Sequence, residues 1–458
     1  MNTKKILIVV PDGTGIKNYL FSQILPYLNQ NKTEVLVYHA LSDDAILEVE
    51  NLHGITLNKI KMLPYKETFI QKFFRESICY ARLLHNKKME NNDTILNNWR
   101  PQKKGIVKQL FYKLVERFGF RLSKDYSKIL KCEHSYQKAL EKSIGEEKAF
   151  LKEFQPDVVF CTHQRAITAI PLFKAAEVLG VKTIGAIYSW DNLVKARLSV
   201  RTQDYVVWSN HMKNELLKYY PEISASNIYI TGTPQFQLYN RAQIQSKELF
   251  FESHGLDLNK FTVCFSGDDV LTSPHDPKYL EHLAENINVS QLDKKVQILF
   301  RRCPADTSGR YDEVVNKYKD VIVPVAPKWS NSKENWTQLF PYIEDIDLLA
   351  NICKHSDLVI NVGSTMAHDF AIYDRPAAYI NYDAIQDDTW SVDTIYRFQH
   401  FRSMPNKDVV FWINSKTDYL SVIEKSMANK GSNAKEWLDV INANDIDSAQ
   451  VISNLLLN

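Results

Sequence analysis

No two cysteines in this chain form a Cys-x-x-Cys pair. The six thiols, Cys79, Cys132, Cys161, Cys264, Cys303 and Cys353, are scattered along 458 residues. That spacing argues against a zinc site or a redox couple, and reduced thiols in a cytoplasmic protein are the simplest reading. Long apolar runs are also missing. The run ILIVV before Pro11 is too short for a signal peptide or a span, and no stretch of about 18 apolar residues occurs elsewhere. Neither sign of charge dominates. With 56 basic and 54 acidic side chains the net charge is +2, which implies no strong field for nucleic acid. Internal repeats and low-complexity tracts are not evident.

The chain is too long for one typical domain, and its 45% hydrophobic content is ordinary for a folded protein. Apolar runs alternate with helical patterns. KKILIVV, TEVLVYH, PDVVFCT, VKTIGAIY, DYVVWS and NIYITG fill the first half; KFTVCFSG, KVQILFRR, DVIVPVA, DLVINV and AAYINY fill the second. Such alternation implies α/β architecture with parallel sheets covered on both faces. Two doubly wound domains are expected, residues 1–245 and 246–458, parted after Gly232 and Pro234. Residues 60–150 break the rhythm and read as a helical insertion without convincing strands.

The segment HSDLVINVGSTMAHDFAIYDRPAAYINYD, residues 355–383, carries the most chemistry. DLVINV suits a strand buried on both faces. Gly363 allows a tight exit, and Ser364 or Thr365 is a natural N-cap for a helix beginning near Met366. A helix start favours an anion such as phosphate, and Asp369, about one turn in, is placed for a sugar hydroxyl. The same residues would also make an ordinary capped turn.

Other strand exits offer further groups. VVPDGTGIKNYL places Asp12, Gly13, Gly15 and Asn18 after the first strand. Its GxGxxN pattern falls short of the dinucleotide fingerprint, and the second strand ends in Tyr38-His39 without a ribose-binding acid, which argues against a nicotinamide cofactor. Asp12 suits a general base or a helix cap. In VVFCTHQRAITAIP, His163 suits a base or substrate ligand, or ties a loop together with Arg165. IYSWDNLVKAR offers the flat face of Trp190 and the hydroxyl-binding groups of Asp191 and Asn192, or a loop around a packed tryptophan. SGDDVLTSPHDP brings Gly267 and backbone N–H groups within reach of a phosphate. ILFRRCPAD presents Arg301 and Arg302 for bidentate phosphate binding, or for an ion pair with an acid such as Asp306. Asp345 and Asp347 form a DxD that reads as the acidic first turn of DIDLLANICK, so no metal is expected.

Residues 103–124, KKGIVKQLFYKLVERFGFRLSK, repeat Ile106, Leu110, Leu114, Phe118 and Leu122, with Val107, Phe111 and Val115 beside them. Lys103, Lys104, Lys108, Lys113, Arg117, Arg121 and Lys124 oppose the single acid Glu116. The pattern fits a basic amphipathic helix at an anionic membrane surface, with Arg117 and Arg121 snorkelling, or a helix packed on its own domain with a solvated basic edge.

PDGTGIKN, SWDNL, ITGTPQFQLY, LFRRCPAD and SDLVINVGSTMAHDFAIYDRP together resemble GT-B-fold glycosyltransferases of bacterial surface-polysaccharide type, and more loosely the glycerophosphotransferases of teichoic-acid synthesis. The resemblance spans most of the chain outside residues 60–150. It implies two Rossmann-like domains facing a cleft, an acceptor-side domain followed by a nucleotide-sugar domain. Ser364 and Thr365 would meet the diphosphate and Asp369 the ribose or sugar. Cys303 departs from the related Arg-x-His-Pro pattern, which puts any histidine role there in doubt. The implied reaction is an inverting, metal-independent transfer from a nucleotide-sugar donor to a hydroxyl of a glycan or lipid-linked acceptor. Asp12 is the expected base, with Asp191 and His163 behind it, and Arg302 joins Ser364 and Thr365 at the leaving group. No cofactor is expected, since the nucleotide-sugar is a substrate. The expected location is cytoplasmic, peripheral on the inner face of the membrane. Rival expectations are a GT-B-like sugar-nucleotide epimerase, a polyol-phosphate transferase, or a non-catalytic glycan- or lipid-binding member of a biosynthetic complex.

Overall fold

Aliphatic runs such as KILIVV form strands buried on both faces, as a parallel sheet requires. The computed structural model describes residues 3–330, 339–428 and 434–458. Its first sheet contains β1 (Lys5–Val10), β2 (Glu34–His39), β3 (Lys59–Lys61), β4 (Val158–Cys161), β5 (Lys182–Ala186), β6 (Asp204–Val207) and β7 (Ile228–Ile230). These run parallel in the order β3-β2-β1-β4-β5-β6-β7. The second contains β8 (Phe261–Ser266), β9 (Val296–Arg301), β10 (Ile322–Pro324), β11 (Leu358–Asn361), β12 (Ala377–Ile380) and β13 (Phe411–Ile413), parallel in the order β10-β9-β8-β11-β12-β13. Both sheets are doubly wound.

Each strand order reverses direction once. The switch lies between β1 and β4 in the first sheet, and between β8 and β11 in the second. Open α/β sheets bind ligands beyond the carboxyl ends of the strands at that reversal. Topology therefore selects four strand exits out of thirteen: those after Val10, Cys161, Ser266 and Asn361.

The insertion is helical, with one correction at its start. Lys59–Lys61 is a short edge strand, exposed throughout. Helices Phe69–Glu90, Ile106–Leu122, Tyr126–Leu140 and Gly145–Phe154 follow. The first begins at a capping box: Gln71 N–H donates to Thr68 Oγ1 at 3.2 Å, and Thr68 N–H donates to Gln71 Oε1 at 2.9 Å. Arg82, buried on this helix, donates to Glu133 at 2.6 Å and Glu222 at 2.9 Å. Arg201 donates to Glu133 at 2.7 Å and Glu222 at 2.9 Å. Both guanidinium groups also lie over the Tyr220 ring, at 4.6 and 4.8 Å. Burial alone would raise the Glu133 carboxyl, but Arg201 and Arg82 outweigh it and bring it down to about 2.

The chain forms two compact units. Met1–Gln235, Phe398–His400 and Ile441–Asn458 make the first; Phe236–Arg397 and Phe401–Val440 make the second. The first unit thus closes before the expected boundary at residue 245, and the chain returns to it at its end. Specific bonds hold this return. Ala443 N–H donates to Trp208 O at 2.9 Å, Thr233 N–H donates to Asn442 Oδ1 at 2.9 Å, and Lys4 Nζ donates to Leu457 O at 2.5 Å.

Candidate functional site

At the first switch point β1 leads into Pro11-Asp12 and β4 into Thr162-His163. Their side chains, separated by 151 residues in sequence, meet: His163 Nδ1 lies 2.5 Å from Asp12 Oδ2. Both residues are buried. Asp12 Oδ1 accepts the Thr14 N–H at 3.1 Å, which fixes the carboxylate. The His163 ring stands edge-on to Tyr188, centroids 4.3 Å apart. With Nδ1–H donating to Asp12, the lone pair of the imidazole is on Nε2. Among the described residues that atom has no hydrogen-bond partner. The geometry is that of a histidine oriented by a carboxylate, with an unpartnered Nε2 that is closed to solvent and would need the loops around it to admit a hydroxyl.

The turn after Asp12 is tight for a steric reason. A Cβ on Gly15 would stand 2.5 Å from Thr162 Oγ1, so the loop after β1 can approach the end of β4 only with glycine there. The helix after this turn begins as a π-turn, Ile16–Leu20, and restarts at Ile24–Gln30, where Pro26 fits the first turn. Gly13 O accepts the Ile16 N–H at 3.1 Å. Asn18 is buried and donates to Tyr188 O at 3.2 Å, linking this turn to the loop after β5.

In that loop the structure corrects one expectation. Trp190 does not offer an open face: it is buried, with its ring edge-on to His400 at 5.0 Å. Asn192 is buried too. Its Oδ1 accepts from Arg165 at 2.9 Å, so it positions the guanidinium. Asp191 accepts from Ser189 Oγ at 2.6 Å and pairs with Lys195. Burial would raise its carboxyl, but Lys195 and then His400 hold it well below the usual range. Already ionised and paired with Lys195, Asp191 is a poor base.

The second switch point is built differently. Gly267 and Asp268 follow β8. Asp276 accepts from Asp268 N–H at 2.8 Å, Tyr311 Oη at 2.7 Å and Ser273 Oγ at 2.9 Å, a donor set that satisfies a carboxylate. Asp268 Oδ2 is inaccessible and has no partner among the described residues. Burial, then Asp276 and Asp269, push the Asp268 carboxyl well above the usual range, with Arg310 opposing. That shift favours the neutral acid, which can face an anion without repelling it.

After β11, Asn361 Oδ1 accepts the Ser364 N–H at 2.8 Å, and Tyr379 Oη donates to Ser364 O at 3.1 Å. Gly363 has φ +68°, and a Cβ there would meet Phe401 at 2.8 Å. Ser364 is half-buried and Thr365 exposed. The helix they open, Met366–Ile372, is short; Thr365 gives it no side-chain cap, while Ser364 Oγ accepts the Met366 N–H at 3.5 Å. Asp369 Oδ1 accepts from Tyr239 Oη at 2.6 Å. Arg301 corrects a second expectation. Its Nη2 donates to both Asp345 oxygens, at 2.9 and 2.8 Å, and both residues are buried, while its Nη1 is buried with no partner among the described residues. Asp345 also accepts from Lys328 N–H and Trp329 Nε1, each at 2.7 Å, while Asp347 accepts from Gln243 N–H at 2.8 Å. The two DxD carboxylates thus serve separate partners. Arg302 makes no hydrogen bond or ion pair among the described residues, so of the two arginines it is the accessible cation. Cys303 is held up to about 11, chiefly by burial, so it is a thiol rather than a nucleophile at neutral pH.

Tyr188 and Asp268 escaped the sequence reading. Each lies inside a segment that drew attention, IYSWDN and SGDD, but only the fold shows that Tyr188 packs on His163 and that the Oδ2 of half-buried Asp268 is closed to solvent.

No protein-family model matches the sequence, and no curated protein matches it. Solved structures do match in fold. A UDP-GlcNAc 2-epimerase from Methanocaldococcus jannaschii is 12% identical, covering 99% of this chain and 100% of that one, with a TM-score of 0.55. A glycosyltransferase from Rickettsia africae is 13% identical, covering 100% and 98%, with a TM-score of 0.53. S. aureus MnaA, solved with UDP, is 11% identical, covering 99% and 95%, with a TM-score of 0.51. At such identities the likeness is one of fold: the chain has the GT-B arrangement of two Rossmann-like domains.

Proposed function

We propose that this chain is a nucleotide-sugar enzyme, and that it transfers the sugar to a hydroxyl of a glycan or lipid-linked acceptor. The observation that carries the reading is the Asp12–His163 pair, with a partnerless Nε2, at the first switch point. In the proposed step the acceptor hydroxyl gives its proton to His163 Nε2. The acceptor oxygen bonds to the anomeric carbon, and the bond from that carbon to the phosphate oxygen breaks. The nucleoside diphosphate leaves with the electron pair, and attack from the opposite face inverts the anomeric centre. Asp12 is a positioning residue that holds the tautomer and stabilises the imidazolium. This reverses the order expected from sequence, where Asp12 was the base. Arg302, the hydroxyls of Ser364 and Thr365 and the neutral Asp268 would receive the diphosphate.

A second reading is supported by the fold relatives described as UDP-GlcNAc 2-epimerases. The same histidine could then move a proton on the sugar itself. Incubation with a panel of nucleotide-sugars, with and without acceptor glycans, separates the cases. Acceptor-dependent release of nucleoside diphosphate identifies a transferase, and an epimerised sugar without acceptor identifies an epimerase. Absence of nucleotide affinity would leave the non-catalytic binding protein.

A further inference from the structure

The helix Ile106–Leu122 uses its apolar residues on two sides. Phe111, Tyr112, Val115, Gly119 and Leu122 are buried and form its inner face. Phe111 and Phe118 pack there on Phe73, at 6.2 and 5.5 Å between centroids. That contact accounts for the helix as part of the fold. It does not account for the outer face, where Ile106 is 84% exposed, Val107 80%, Leu110 59% and Leu114 48%. At 3.6 residues per turn, positions 106, 110 and 114 share one side. Phe69 and Ile70, in the first turn of the helix Phe69–Glu90, are 67% and 60% exposed. Phe69 packs on Phe111 of the inner face, ring centroids 5.0 Å apart, which sets the starts of the two helices side by side. Single exposed aliphatics are ordinary, but a cluster of this kind on adjoining helices marks a surface that meets something apolar.

The charges around it say what that is. Lys104, Lys108, Lys113, Arg117, Arg121 and Lys124 are exposed, and none forms an ion pair among the described residues. Lys103 is paired, to Glu116, the single acid of the segment. Arg117 and Arg121 continue the outer face beyond Leu114, so apolar and cationic groups share one side. Lys72 adds a cation above Phe111, at 6.0 Å. A protein partner could match either feature. A surface that is apolar within and anionic at its head groups matches both at once, with the long basic side chains reaching back to the head groups. No helix among the described residues is long and apolar enough to cross a membrane, so the contact is with one leaflet.

We infer that the outer face of Ile106–Leu122, with Phe69 and Ile70, is a docking surface for anionic lipid bilayers. The inference is independent of the proposed reaction.

The test is flotation of the full chain with vesicles of phosphatidylglycerol and phosphatidylethanolamine, against vesicles of phosphatidylcholine alone. Wild type should float with the anionic vesicles at low salt, less as salt rises, and little with the neutral ones. Charge reversal of Lys104, Lys108, Lys113 and Arg117 to glutamate should lower the partition by at least about a hundredfold. Ile106→Ser with Val107→Ser and Leu110→Ser leaves the charge unchanged and should lower it by at least about tenfold. All these side chains are exposed, so thermal melts should stay unchanged. Failure of the wild type to float overturns the proposal. Flotation unaltered by the serine changes overturns it too, since a merely cationic edge would behave that way. So does tight binding of a short DNA duplex that the serine changes leave intact, because the surface would then be a polyanion site.

Discussion

The two sheets share a topology but not a chemistry. At the β1/β4 switch, two ionisable side chains are joined to each other and one nitrogen is left over. On the β8/β11 side, one of the two arginines expected to act is largely committed to the fold, Arg301 to Asp345, and Arg310 is likewise paired with Asp306. What remains there is a backbone turn, two hydroxyls, one free guanidinium and a carboxyl shifted toward its neutral form. The first arrangement suits moving a proton and the second suits receiving an anion. A doubly wound sheet supplies the place; the side chains at its reversal decide the task.

The largest effect should come from breaking the first arrangement. His163→Ala removes the proposed base and should lower turnover about a thousandfold, and Asp12→Asn about a hundredfold. In both, the KM for the nucleotide-sugar should stay within about twofold, because neither residue holds the donor. Steady-state kinetics with an active donor checks this. Near-normal turnover in His163→Ala, with loss in Asp191→Asn, would move the base to the SWDN loop.

Arg301 sharpens the contrast from the other side. Arg301→Leu leaves a buried Asp345 without its cation and should cost about 3–5 kcal/mol of stability, read from chemical denaturation. Arg302→Ala should leave stability within about 0.5 kcal/mol and weaken nucleoside-diphosphate binding instead. The opposite outcome for the two arginines would restore Arg301 as the phosphate ligand.

These pairings explain how far the sequence could be read. Alternation of β-branched runs with helical periods reveals both sheets, because buried parallel strands need that composition. The motifs at Asp12, His163 and Gly363 were visible as strand exits followed by small residues. Their grouping was not. That Asp12 meets His163 depends on β1 lying beside β4, which follows from strand order rather than local pattern. The fates of Arg301 and Trp190 depend on partners far along the chain, Asp345 and His400. The return of Ile441–Asn458 to the first unit leaves no local signal.

A pH experiment tests how the first unit keeps its acids in separate states. Asp191 has Lys195 and is ionised, whereas Glu215, on the helix Asn210–Tyr219, has only His211 Nε2 at 3.6 Å, an imidazole that burial holds below its usual range, and a weaker opposing pull from Lys218. Lys218 Nζ and Tyr219 Oη both bind Glu90 instead, at 2.6 and 2.7 Å. Burial, then Glu90 and Asp191, raise Glu215 to about 8. Its folded form therefore holds a proton more tightly than the unfolded chain, whose glutamates titrate near about 4.3. The stability this contributes is complete below that value and is lost as pH rises toward about 8. Glu215→Gln should thus gain about 2–4 kcal/mol over wild type at pH 8 and little at pH 5, measured by denaturation at both. Glu133 works in the opposite window: its contribution is present above the unfolded value and is lost as pH falls toward about 2. Equal stability of wild type and Glu215→Gln at both pH values would mean the glutamate is ionised and solvated.

The smallest expected effect concerns the side proposed to receive the diphosphate. Ser364→Ala combined with Thr365→Ala removes two hydroxyl donors but keeps the backbone turn, which Asn361 and Tyr379 hold independently. Affinity for a nucleoside diphosphate should fall about tenfold by calorimetry, near the worth of one or two hydrogen bonds to a charged group. Asp268→Asn is the companion variant. Asparagine has the shape of a protonated aspartic acid and the same neutrality, so affinity should stay within about twofold if Asp268 faces the diphosphate as a neutral donor. A carboxylate needed in its charged form could not be replaced this way. Loss of binding in Asp268→Asn, with no loss in the alanine pair, would therefore reverse the assignment: the second switch point would need a negative charge, and the leaving group would have to be received elsewhere.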